Sequence, residues 1–139
     1  MTVNGLWSAL ESSQCGKRVG AVELQSKTLA IDLSIWICEG LTSSLAKYHA
    51  SPALYLVFSR VAALLKFGVA PIICVEGKKR TGGTIVSQTQ RRPHEFSKAC
   101  KECAKVMSYI GCQVIHAEFE AEALCASLCS KGLVDGGEC

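Results

Sequence analysis

Three short apolar runs in this sequence each lead to a carboxylate, and no other feature constrains the fold as strongly. Leu29-Ala30-Ile31 runs into Asp32, and Ile72-Ile73-Cys74-Val75 into Glu76. Val114-Ile115-His116-Ala117 leads to Glu118 and then to Glu120-Ala121-Glu122-Ala123. Strands buried on both faces of a parallel sheet read as short apolar runs of this kind. Helix-length segments separate the runs, and crossovers of that length imply parallel neighbours and an α/β class. In open α/β sheets, ligands bind beyond the carboxyl ends of the strands. Three strands handing acids to that edge make an oxygen-lined pocket, which suits a hard divalent cation. A metal-dependent reaction on a phosphate is therefore the first functional expectation.

The predicted order is β-α-β-loop-α-β-α, with strands over 27–32, 71–76 and 112–117. A fourth strand opens at Leu133-Val134-Asp135. Ser34 is the expected cap of a helix through Ile35, Trp36, Ile37 and Leu41. Ser51-Pro52 starts the next helix. Its inner face would carry Leu54, Val57, Phe58, Val61, Leu64 and Leu65, and Gly68 would stop it. Phe96, Ala99, Cys100, Cys103, Val106, Met107 and Ile110 form a further helical stripe, closed by Gly111. The last helix covers 120–130 and ends at Gly132. Leu6, Trp7 and Leu10 stand at helical spacing near the N-terminus. The 139 residues predict a single domain, and an apolar share of 49% argues against disorder. No apolar run approaches the roughly 18 residues of a membrane span, and no secretory pattern opens the chain. Nine cysteines, an odd number, read as free thiols in a reducing, intracellular setting.

The acids Asp32, Glu76, Glu120 and Glu122 are the candidate catalytic and metal-holding set. Two magnesium ions about 3.5–4 Å apart can stabilise both the attacking and the leaving oxygen of a phosphodiester, and they need several carboxylates. Bland rivals exist: Glu120 and Glu122 could simply answer a helix dipole, and Asp32 could be a structural cap. The stretch 77–93 is expected to be a mobile basic loop, or a helix that orders on binding. Its Lys78, Lys79, Arg80, Arg91 and Arg92 are candidate contacts to a DNA backbone, against the plainer reading of a solvated charged loop. No aromatic residue lies between Gly77 and Arg92, so base stacking is not indicated there. Cys100-x-x-Cys103, with Cys112 nearby, invites a zinc reading. Both cysteines fall on an apolar stripe and no second such pair exists, so core thiols are the better reading. His94 and His116 have no partner motif, His116 being a core or edge residue of its strand. No Ser-His-Asp or Cys-His site can be assembled from spacing, and no phosphate-cradling glycine loop is present.

Thr2-Val3-Asn4-Gly5-Leu6-Trp7, Leu29 to Trp36, Cys74-Val75-Glu76-Gly77 and Glu120 to Cys125 resemble the XPG/flap-endonuclease family. The form is most similar to the GEN subfamily of Holliday-junction resolvases, over nearly the whole chain. The resemblance implies a PIN-like, three-layer α/β fold with a mainly parallel sheet, read here as a single domain over 1–139. It also implies two magnesium ions and structure-selective cutting of branched DNA, such as 5′ flaps and four-way junctions, in the nucleus. Asp32, Glu76, Glu120 and Glu122 match metal-site acids of that family, and 77–93 matches its arch or gateway. Thr2 replaces the family's N-terminal glycine, and Phe119 replaces a small residue before the acidic pair. Past Val134-Asp135-Gly136 the family continues to a further pair of aspartates and a helix-hairpin-helix-type module. The sequence stops at Cys139 and reads as cut short there. Two outcomes stay open: a weakly active nuclease region, and a catalytically inactive DNA-binding or partner-binding fragment. Dimerisation on a junction stays open too. A phosphatase with Asp32 as nucleophile is disfavoured, because no general acid and lysine accompany it.

Overall fold

In the computed structural model, the described residues are 8–9, 12–13, 20–77 and 94–138. Strand β1 (Thr28–Asp32) is central, pairing with β2 (Ala70–Val75) on one side and with β4 (Gly136–Glu138) on the other. Strand β3 (Gln113–His116) adds outside β2, and all three pairings are parallel. Helices α1 (Leu33–Thr42) and α2 (Pro52–Lys66) connect β1 to β2. Helix α3 (His94–Tyr109) precedes β3, and α4 (Ala121–Ser130) carries the chain from β3 to β4. The order β3-β2-β1-β4 reverses direction at β1. Keeping the usual right-handed crossover after that reversal requires α4 to cover the opposite face from α1, α2 and α3.

The packing follows that topology. Alternate residues of a strand point to opposite faces. Ile31, Ile73 and Val75 pack with Leu33, Trp36, Ile37, Val57, Val61, Phe96, Cys103 and Met107 of the three-helix layer. Ala30 and Cys74 face the other way, against Ala121 and Cys125 of α4 and against Val134. The three-layer expectation is met, and the layers differ in kind. The first interface is built from large side chains. The second has mostly small side chains at its buried centre.

Most predicted elements form within a residue or two of their expected bounds. Gly68 and Gly111 end α2 and α3 with φ of 73° and 89°. Behind Gly68, Val69 N–H reaches Leu64 O at 3.0 Å, closing the helix end as a left-handed glycine cap does. Four expectations need correction. The cap of α1 is Asp32, not Ser34: the Asp32 side chain accepts from Ser34 N–H. Ser51 caps α2 by position only, its side chain making no capping bond, while Pro52 stands in the first turn as expected. Phe58 and Leu65 lie on the outer side of α2, 46% and 45% exposed, because Ala53, Val57 and Val61 take the inner face. The fourth strand begins at Gly136 rather than at Leu133, because Val134 is drawn into the core under α4 before pairing starts. The expectations placed on Leu6, Trp7, Leu10 and on 78–93 lie outside the described residues.

Candidate metal centre at the carboxyl edge of the sheet

Asp32 ends β1 and opens α1. Among the described residues it is the one charged side chain that is buried, 7% exposed. Its carboxylate belongs to two elements at once. As a helix cap it accepts Ser34 N–H through Oδ1 at 2.8 Å. As a strand-end acid it faces the switch point beside β1, where the sheet order reverses. Register explains its neighbours. Asp32 pairs with Cys74, so Glu76 lies two residues farther along β2's line and on the same face, the one that α4 covers. Glu122 stands in the first turn of α4.

The electrostatics carry the same message. Burial pushes the Asp32 carboxyl above its usual range, against the two Ser34 hydrogen bonds that pull it down. The charges of Glu76 and Glu122 add to the upward push. Desolvation, with like charge adding to it, therefore outweighs hydrogen bonding at Asp32. Helices α1 and α4 both begin at this edge, and their positive ends offset part of the repulsion.

The residues on either side of Glu76 join the third strand and the loop after it through backbone bonds. Ala117 N–H donates to Val75 O at 2.8 Å, and Gly77 N–H donates to Phe119 O at 2.7 Å. The β2–β3 pairing thus continues past the ends of both strands. A Cβ at Gly77 would collide with the carbonyls of Ala117 and Glu118, so a side chain there would push the two loops apart. Ser34 makes the remaining connection: its hydroxyl donates to Glu76 Oε2 at 3.1 Å.

Of the four predicted acids, Asp32, Glu76 and Glu122 share one electrostatic neighbourhood. Glu120 is the extended cap of α4, with φ −93° and ψ 139°, and is exposed. Among the described residues, no three His, Cys, Asp or Glu side chains converge closely enough to hold one ion. The donor set is nonetheless all oxygen and all anionic. Magnesium commonly binds through one or two carboxylates and keeps several waters, so the chemistry of the edge fits it. Lys78, Lys79, Arg80, Arg91 and Arg92 lie outside the described residues. Cys103 is fully buried in the three-helix core, as expected, and burial pushes its thiol up to about 12. His116 ends β3, the edge strand, and is exposed. Sequence reasoning missed Ser34 and Gly77 as site residues. The spacing Asp-x-Ser and the pair Glu-Gly were visible signals, but the contacts that give them meaning are non-local.

Similarity to known proteins agrees with this geometry. The XPG N-terminal domain family matches residues 1–98. Flap endonuclease GEN homolog 1 of Mus musculus is 33% identical over 98% of this chain. The chain spans only 16% of that relative's length. Human GEN1 solved in complex with Holliday junction DNA superposes with a TM-score of 0.82 at 28% identity, over 98% of this chain and 36% of that one. GEN1 solved with product DNA and a Mg2+ ion gives a TM-score of 0.67 at 25% identity, over 98% and 32%. Strand order, helix placement and the family match lead to one conclusion: this chain belongs to the family defined by the XPG N-terminal domain.

Proposed function

We propose that this chain forms the acid-bearing part of a structure-specific DNA endonuclease that hydrolyses phosphodiesters in branched DNA, at flaps or four-way junctions. One observation carries the reading: a buried carboxylate, Asp32, ends the central strand at the switch point within the field of Glu76 and Glu122. A buried acid destabilised by other acids is costly, and such arrangements concentrate at functional sites. Asp32, Glu76, Glu120 and Glu122 would hold Mg2+, directly or through water. Two Mg2+ ions, when bound, would neutralise charge on the attacking and leaving oxygens of the phosphodiester. The chain's own residues orient that site. The α1 backbone holds Asp32, Ser34 holds Glu76, and Gly77 keeps Glu76 against the loop that leads to Glu122. Lys78, Lys79, Arg80, Arg91 and Arg92, which flank this edge in sequence, would draw in the DNA backbone. Work on chromosomal DNA would put the protein in the nucleus. Among the described residues no helix is long and apolar enough to cross a membrane.

The test is cleavage of labelled 5′-flap and four-way-junction DNA by the purified chain, with Mg2+ and with a chelator. Cutting that needs the metal and disappears in Asp32→Ala supports the reading. A second reading, junction binding without cleavage, is favoured by the lack of a three-ligand convergence among the described residues. It predicts binding that weakens steeply with salt and no product at any Mg2+ concentration. Neither binding nor cleavage would remove both readings.

A further inference from the structure

Ser34 touches both acids at the centre of this edge, and it does so with two different groups. Its backbone N–H holds Asp32 Oδ1 at 2.8 Å, and its side-chain hydroxyl holds Glu76 Oε2 at 3.1 Å. The first bond belongs to the first turn of α1, where N–H groups have no partner within the helix. The second bond crosses from α1 to the end of β2 and has no role in capping. We propose that Ser34 is the positioning residue of the acid cluster, tying Glu76 to Asp32 so that the two carboxylates are already in place before a cation arrives. The proposal rests on the reading of this edge as a metal site.

The physical argument is one of preorganisation. Two carboxylates on the same face of adjacent strands repel, which drives them apart unless something holds them. Glu76 has rotamer freedom that Asp32, short and capped, lacks. A hydroxyl that donates to an ionised carboxylate makes a charge-assisted bond, stronger than a neutral one. It needs no positive charge, so it restrains Glu76 without competing with a cation for the site. Ser34 is half-buried, which shields this bond from exchange with water. An alanine at this place would keep the backbone bond that caps α1 at Asp32 and lose the hydroxyl's contacts, to Glu76 and to Asp32. The helix cap and the placing of Glu76 are therefore separable by one substitution.

Two measurements on the purified chain test this. In the metal-free protein, the carboxyl carbon resonance of Glu76 should move in Ser34→Ala and return in Ser34→Thr. Mn2+ uptake followed by electron paramagnetic resonance should then weaken about 10- to 100-fold in Ser34→Ala, the usual scale for losing a group that orients a ligand. Ser34→Thr should stay within about threefold of the wild type, an allowance for its extra methyl group. The melting temperature of Ser34→Ala should hardly change, because the cap survives. An unmoved Glu76 resonance in Ser34→Ala overturns the proposal, as does wild-type Mn2+ affinity in that variant. Failure of the metal-site reading looks different: wild type and Asp32→Ala would take up Mn2+ alike, while the Glu76 resonance would still report on Ser34.

Discussion

The two edges of the sheet carry two aspartates treated in opposite ways. At the carboxyl edge, Asp32 is buried, and burial together with Glu76 and Glu122 pushes its carboxyl above the usual range. At the amino edge, Asp135 is exposed and fully engaged. Its Oδ2 accepts Thr28 N–H at 2.8 Å, and its Oδ1 pairs with Lys27 Nζ at 3.0 Å. The Thr28 bond, and then Lys27, hold its carboxyl below the usual range. Asp135 N–H also donates to Thr28 O at 2.8 Å, so this residue fastens the entry of β4 to the start of β1. One aspartate costs stability where it sits and the other adds to it. On the proposed reading the difference separates a site from a fastening: the acid raised by burial and like charge is the one offered to a cation.

That contrast can be broken at several points. The largest effect is expected from Asp32→Ala, which should lower Mg2+-dependent junction cleavage on the order of a hundred- to a thousandfold, the scale for removing one transition-state stabilising group. Cleavage unchanged in gel assays would move the site away from this edge. Gly77→Ala comes next. The new methyl group meets two carbonyls, and overpacking of that kind costs about 1–3 kcal/mol. Chemical denaturation should show the loss, and the folded fraction should bind Mn2+ less tightly because Glu76 is pushed from α4. An unaltered midpoint would mean that the loops have room to part.

Asp32→Asn should act in the opposite direction on stability. It keeps an acceptor for Ser34 N–H and removes the buried charge, so without metal its melting temperature at pH 7 should rise by about 2–4 °C. The sign follows from the raised carboxyl. The folded state holds its proton more tightly, so wild-type stability falls as pH rises from the ordinary value of 3.8 through the folded value. The asparagine variant has no such fall, and its advantage should vanish in acid. A variant less stable than wild type at pH 7 would show that Asp32 serves the fold more than the site.

The smallest effect belongs to Asp135→Asn. A depressed carboxyl stabilises the fold above 3.8, and that contribution is lost as pH falls through the folded value. Wild type should therefore be slightly more stable than the variant near neutrality, with the gap closing in acid and shrinking in high salt because the pair is exposed. A large, salt-insensitive gap would instead mark Asp135 as a hidden structural centre.

Much of this was readable along the chain because the signals are local. A run such as Ile72 to Val75 has too few polar atoms to be anything but buried, and its closing acid stands at the strand's end whatever the strand's neighbours are. Gly68 and Gly111 end helices through a backbone angle that glycine adopts freely. The outer face of α2 was misjudged for the converse reason. Phe58 and Leu65 fit the apolar stripe by type, and only the neighbours of the helix decide which part of a broad stripe is covered.

The sequence alone determined that parallel strands would present acids at one edge, with Asp32 and Glu76 closing two strands and Glu120 and Glu122 at the start of the last helix. Only the tertiary structure decided the rest. Placing β4 beside β1 put Asp135 at the far edge, although it lies only thirteen residues beyond Glu122. The contact of Ser34 with Glu76 spans 42 residues, and the clash that reserves position 77 for glycine involves another strand's loop. Hydrophobic pattern and end-of-strand position are properties of a segment. Strand order, register and a hydrogen bond between two segments are properties of their packing, and they exist only once the chain has closed on itself.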